Sequence, residues 1–136
     1  MGVRKREKAI EIKEAKRSVA FAKLNNCPTS PRKMRLVADL VRGISVEKAL
    51  AILKFNQKEA ATSLHKLLLS TIENWKVKNE GADIEAAQVF IKEIRVNSGA
   101  MLKKLRPTPQ GRAHRIRKRS NHISRKTWLS STGFSS

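Results

Sequence analysis

NSGAMLKKLRPTPQGRAHRIRKRSNHI, residues Asn97 to Ile123, decides how the rest of the chain is read. It carries eight Lys/Arg side chains, two histidines and no acidic residue. Gly99, Pro107, Pro109 and Gly111 punctuate it before arginines begin to alternate with other residues. As a strand, AHRIRKRSNHI projects Arg115, Arg117 and Arg119 from one face and His114, Ile116, Lys118 and His122 from the other. A basic helix is the competing reading, because Arg112, Arg115 and Arg119 also share a helical face. The strand is preferred: QVFIKEIRVN, residues 88–97, reads as a strand before it, with Phe90, Ile94 and Val96 on one face, and Gly/Pro turn signals lie between the two.

Outward from this segment, charge organises the chain. Its 136 residues fit one domain, and its net charge of +19 with a pI near 11.1 exceeds what solubility requires and points to a polyanion, most simply nucleic acid. Residues 1–42 carry a net +8, residues 43–93 are neutral, and residues 94–136 carry +11 without one carboxylate. This predicts a small body with polyanion-binding surfaces at both ends. A solubilising surface mixes signs; the C-terminal part has only one. Cys27 is the sole cysteine, which excludes an intrachain disulfide, favours a reducing compartment and suits a small, semi-buried thiol. No apolar run approaches the roughly 18 residues of a membrane span, so no membrane partner is expected. The N-terminus lacks an apolar signal core and contains Glu7, Glu11 and Glu14, so a cytoplasmic location is expected.

Residues 1–17 read as a charged extension, either a solvated helix or a disordered arm. SVAFAKLNN reads as a first strand. SPRKMRLVADLVRG is a helix with Ser30 as N-cap, Pro31 at the first helical position and Gly43 closing the end, and Met34, Val37, Ala38 and Val41 form its stripe. Arg32, Lys33 and Arg35 lie near its start, where the helix dipole disfavours cations, which suggests an external anionic partner. SVEKALAILKF repeats the design with Ser45 as cap and Val46, Ala49, Leu50 and Leu53 as buried face. The longest helix spans about 57–78, with Ala60, Ala61, Leu64, Leu67, Leu68, Thr71, Ile72 and Trp75 recurring every three to four residues. His65 reads as a helix-boundary histidine. The last residues, LSSTGFSS, read as disordered.

Catalytic patterns do not emerge. There is no phosphate-binding glycine loop and no zinc-ligand spacing, so neither cofactor nor metal is expected and an enzyme is the weak hypothesis. With no Tyr, two Trp and four Phe, there is no stacking platform for single-stranded bases. Recognition of folded RNA through shape and phosphates fits better. The rival is a helix-turn-helix DNA-binding regulator built from residues 30–54. Its second helix would expose only Glu47, Lys48 and Lys54 as charged groups, without the Arg, Asn or Gln that read base edges.

GAMLKKLRPTPQGRAHRIRKRSNHI resembles the signature of the large ribosomal subunit protein twenty-two family, carried here by Gly99, Pro107, Gly111-Arg112-Ala113, Arg115 to Arg119 and His122-Ile123. SPRKMRLVADLVRG resembles that family's first helix and GADIE its turn before the second strand, and the resemblance spans roughly Val19 to Ile123. It implies an α+β fold: three helices packed on a small three-stranded antiparallel sheet, with a long protruding β-hairpin. The expected organisation is an extension (1–17), a single rRNA-binding domain (18–123) whose hairpin occupies about 88–123, and a disordered tail (124–136). The resemblance implies a structural constituent of the large subunit that binds 23S-type rRNA early in assembly, beside neighbouring large-subunit proteins. Its hairpin would line the tunnel of the nascent polypeptide, at a place where changes in this family affect macrolide sensitivity and some nascent-chain arrests. By position, the tip would be Gly99, Ala100, Met101, Leu102, Lys103, Lys104, Leu105 and Arg106. The rRNA contacts would be Arg32, Lys33, Arg35, Arg95, Lys103, Lys104, Arg106, Arg112, Arg115, Arg117, Lys118 and Arg119. Two departures stand out: Leu102 replaces a frequent Met, and Thr108-Pro109-Gln110 replaces a commonly basic stretch. A two-stranded ribbon of this length buries too little apolar surface to be stable alone, so it is expected to become ordered against RNA.

Overall fold

The computed structural model describes residues 2–18, 20–79, 87–124 and 129–130. In chain order its elements are α1 (Val3–Ser18), β1 (Leu24–Cys27), α2 (Pro31–Val41), α3 (Val46–Phe55), α4 (Glu59–Lys78), β2 (Phe90–Ile91), β3 (Arg95–Thr108), β4 (Arg112–Ser124) and β5 (Leu129–Ser130). Strands pair antiparallel in the order β1-β4-β3, and β2 pairs with β5. The fold is α+β, with α2, α3 and α4 forming one packed body with the three-stranded sheet, and α1 as a fourth helix.

Pro31 opens α2 with its φ already helical and no N–H to leave unsatisfied. The Ser30 carbonyl accepts from the Met34 N–H at 3.1 Å, but the Ser30 side chain makes no cap bond. Gly43 takes φ +77 just past the helix end, a left-handed turn that glycine enters without a Cβ penalty. The stripe Met34, Val37, Ala38 and Val41 is fully buried, packing α2 on the sheet and on α4. In α3, Val46, Ala49 and Leu53 are buried and Leu50 is half-buried. α4 starts at Glu59, and every residue of its expected stripe is buried. Thr71 is satisfied there by donating from Oγ1 to the Leu67 carbonyl at 2.9 Å. Met34 has no accessible surface and sits where helix meets sheet. Met34→Ala should cost about 3 kcal/mol, lost transfer energy plus an unfilled cavity, measurable by urea titration.

Three expectations need correction. The first strand is Leu24–Cys27 rather than SVAFAKLNN: Leu24 pairs with Ile123 and Cys27 with Asn121, and β4 ends at Ser124, leaving residues 20–23 without a ladder partner among the described residues. In that segment Ala20 and Ala22 face the core while Phe21 turns outward, with Lys78 Nζ 5.8 Å from its ring. Second, Ile91 rather than Phe90 is the fully buried residue of β2, and residues 92–94 separate β2 from β3. Backbone bonds explain this. The N–H groups of Gly43 and Val46 donate to Ile91 and Val89, and the Ile91 N–H donates to Ile44, so the segment is clamped against the α2–α3 turn. Third, the tail expected to be disordered contributes Leu129–Ser130, paired with Ile91 and Phe90. Residues 125–128 and 131–136 lie outside the described residues, as does the GADIE turn.

Candidate nucleic-acid interface

β3 and β4 form one ribbon of 14 and 13 residues, paired from Arg95↔Ser124 to Thr108↔Arg112. At ~3.3 Å per residue, its longer arm spans roughly 45 Å. The turn is Pro109-Gln110-Gly111, not Gly99–Arg106 as expected, and those eight residues lie on the outgoing strand. Pro109 presets its own φ. Gln110 and Gly111 both adopt left-handed values, φ +65 and +68, which carries the chain back. Gly99 has another task. The register slips by one residue between Ser98↔Asn121 and Met101↔Arg119, so Gly99 and Ala100 together oppose Ser120 in a β-bulge.

The base of the ribbon is tied to the body. Asn121 is fully buried and donates from Nδ2 to the Thr29 carbonyl at 2.6 Å. The Asn26 N–H, on a residue with φ +55, donates to His122 Nδ1 at 3.0 Å. Ser120 Oγ donates to the Ala100 carbonyl at 2.5 Å across the bulge. Two guanidinium groups hold α2 to the start of the ribbon: Arg35 donates to the Val96 carbonyl through Nε (3.3 Å) and Nη2 (3.1 Å), and Arg42 donates to the Ile94 carbonyl (3.0 Å) while pairing with Asp39 (2.6 Å). Sequence reasoning missed Arg42, Asn121 and His122 as anchors. Polar residues with these roles carry no periodic signal.

Beyond the base, residues 109–119 are all exposed, and on β3 only Met101 and Thr108 between Ala100 and Thr108 are half-buried. Val96, Asn121 and Ile123 point into the core, and alternation along β4 carries Arg119, Arg117 and Arg115 onto the continuation of that face. Pairing sets Met101, Lys103 and Leu105 beside them, while Leu102, Lys104 and Arg106 share the other face with Lys118, Ile116 and His114. An open groove along the ribbon is lined by Met101, Lys103, Lys104, Leu105, Arg115, Ile116 and Arg117. Both faces are therefore cationic, with apolar side chains between the charges. Among the described residues, the only ribbon cation with an acidic partner is Arg95, beside Glu93 at the base. Arg32 and Lys33 are exposed at the start of α2, whereas Arg35 is engaged by Val96 and so serves the fold as well as carrying charge.

Residues 22–126 match the family described as ribosomal protein L22p/L17e. Three curated relatives, each called large ribosomal subunit protein uL22, align over 123 residues. The protein of Christiangramia forsetii is 73% identical, covering 90% of this chain and 91% of its own. Those of Flavobacterium johnsoniae and Bacteroides thetaiotaomicron are 70% and 56% identical, each covering 90% of both chains. With the family match spanning most of the chain and the basic ribbon within it, the chain belongs to the ribosomal protein L22p/L17e family.

Proposed function

We propose that the chain is a structural, non-catalytic constituent of the large ribosomal subunit in the bacterial cytoplasm. It binds 23S-type rRNA, joins the subunit early in assembly beside neighbouring large-subunit proteins, and lays its ribbon along the tunnel that holds the nascent polypeptide. The observation that supports this reading best is the ribbon itself: a two-stranded projection, cationic on both faces and lacking carboxylates beyond its base. Unpaired guanidinium and ammonium groups in that density bind phosphates and release counterions. In this reading Arg112, Arg115, Arg117, Lys118 and Arg119 on β4 and Lys103, Lys104 and Arg106 on β3 meet RNA backbone, with Arg95 at the base and Arg32, Lys33 and Arg35 adding a patch on the body. The furthest reach belongs to Thr108–Arg112, and Gly99–Arg106 line the outgoing arm. The helix-turn-helix alternative gains nothing from α3, whose exposed charged side chains are Glu47, Lys48 and Lys54.

The register allows a clean test. Leu102↔Lys118 is the same type of cross-strand pair as Thr108↔Arg112, because six positions separate them and pair types alternate. Deleting Lys103–Thr108 and Arg112–Arg117 therefore lets Pro109-Gln110-Gly111 close a shortened ribbon. The shortened chain should still co-sediment with large subunits, though it should be released at lower salt. Its cross-links to a stalled nascent chain bearing a photoreactive residue should disappear. Absence from subunits, or undiminished nascent-chain cross-links, would sink the proposal.

A further inference from the structure

The family match begins at residue 22 and so leaves α1 outside it. Residues 2–14 are exposed at every position, including Val3, Ile10 and Ile12, so this part of the helix buries no face against the body. A helix that is polar all round needs many internal pairs or an outside partner. α1 has few internal supports. No acidic residue occupies its first turn, where Arg4, Lys5 and Arg6 oppose the helix dipole. Arg4–Lys8 and Glu7–Glu11 are like-charged at the i,i+4 spacing that disfavours them, which offsets the opposite-charged i,i+3 spacings Arg4–Glu7 and Lys8–Glu11. Among residues 2–14 no ion pair forms.

Its charges are nevertheless partly sorted, with Arg4 beside Glu11 and Lys8 between the two faces. At 3.6 residues per turn, Glu7, Glu11 and Glu14 fall within about 60° of one another. Opposite them runs the row Lys5, Ala9, Lys13, flanked by Arg6. Ala9 leaves a low point between two ammonium groups, where a phosphodiester chain can approach closely, while the carboxylates point away from it.

We propose that α1 is a separate RNA-binding element, seating its Lys5–Ala9–Lys13 row on a phosphate backbone with Glu7, Glu11 and Glu14 turned outward. This rests on the ribosomal reading above but concerns a different surface. The partner is RNA rather than an acidic protein, because Lys5, Arg6 and Lys13 occupy the side opposite the carboxylates and offer cations about two turns apart, a spacing a row of phosphates can use.

Placement is tested by tethering a hydroxyl-radical source to full-length chain incorporated into large subunits, at Ala9→Cys or at Glu11→Cys. Cys27 is buried and serves as the unlabelled background in the parent chain. RNA cleavage should be several-fold stronger from position 9 than from position 11. Equal cleavage from both, or none from position 9 in subunits that contain the chain, overturns the proposal while leaving the ribosomal reading intact. Absence of the parent chain from subunits overturns both. In a second arm, Lys5→Gln/Arg6→Gln/Lys13→Gln should enter subunits, leave them at lower salt, and reduce the salt-dependence exponent by about 3. An unchanged exponent counts against the proposal, as does cross-linking of position 9 to protein alone.

Discussion

Arg115→Glu/Arg117→Glu/Arg119→Glu is expected to keep the full-length chain out of large subunits. The three side chains share one exposed face of β4, continuous with the core face at Ile123 and Asn121, so reversal places three carboxylates where three guanidinium groups stood. Neutralising them to Gln would forfeit three charge-assisted bonds at about 1.5 kcal/mol each, roughly a thousandfold in affinity. Reversal adds repulsion from phosphates in a confined, poorly screened setting, which is stronger than in open water. The reversed chain should therefore fail more completely than the shortened ribbon, which removes contacts without creating repulsion. Since these positions are solvent-exposed, the free protein should keep its helical circular dichroism and its melting transition. Quantitative sedimentation checks the result, and normal stoichiometry of the reversed chain in subunits would refute it.

Gly99→Val should destabilise the protein by about 3 kcal/mol, an overpacking cost concentrated at the base of the ribbon. A Cβ on Gly99 would stand 2.6 Å from Ser120 Oγ, 3.1 Å from His122 Nε2 and 3.3 Å from the Ser120 carbonyl carbon. Ser120 Oγ can rotate away only by releasing the Ala100 carbonyl, and His122 is held by the Asn26 N–H. Gly99→Ala alone should cost about 1 kcal/mol, the worth of the hydrogen bond displaced. Ser120→Gly should restore much of that loss in the double variant, giving a coupling energy measurable by urea titration. A Gly99→Val protein as stable as the parent would show that the bulge is not closed around this glycine.

Much of the body was legible because it obeys simple periods. The stripes of α2 and α4 follow the helical repeat residue for residue, and Pro31 and Gly43 bound α2 by their own backbone preferences. The ribbon was legible as two strands because Arg115, Arg117 and Arg119 alternate. Its turn was misplaced because Gly99 and the Pro109-Gln110-Gly111 run both signal unusual backbone, and composition does not separate a bulge from a reversal. Counting from the pair Val96↔Ile123, whose midpoint falls between residues 109 and 110, would have separated them. The placement of β1 depended on where β4 stops, and the role of Arg35 on a carbonyl 61 residues away. Neither leaves a local trace. The candidate cations were found by charge and by strand alternation, which put Arg115, Arg117 and Arg119 on the face opposite Lys118 but did not show which of Lys103, Lys104 and Arg106 would lie beside them.

The bulge also sets how the outgoing arm tolerates changes in length. Before it, even-numbered residues of β3 such as Val96 face the core; beyond it, odd-numbered residues such as Lys103 share the face of Arg117. Loss of Ala100 alone would seat Gly99 opposite Ser120 and leave Met101 opposite Arg119, with every later pair unchanged. Loss of one residue anywhere between Met101 and Thr108 would instead turn part of the arm over. One position near the root of the ribbon can thus absorb an insertion or deletion, and the remainder of the arm must conserve its length to keep its cations in place.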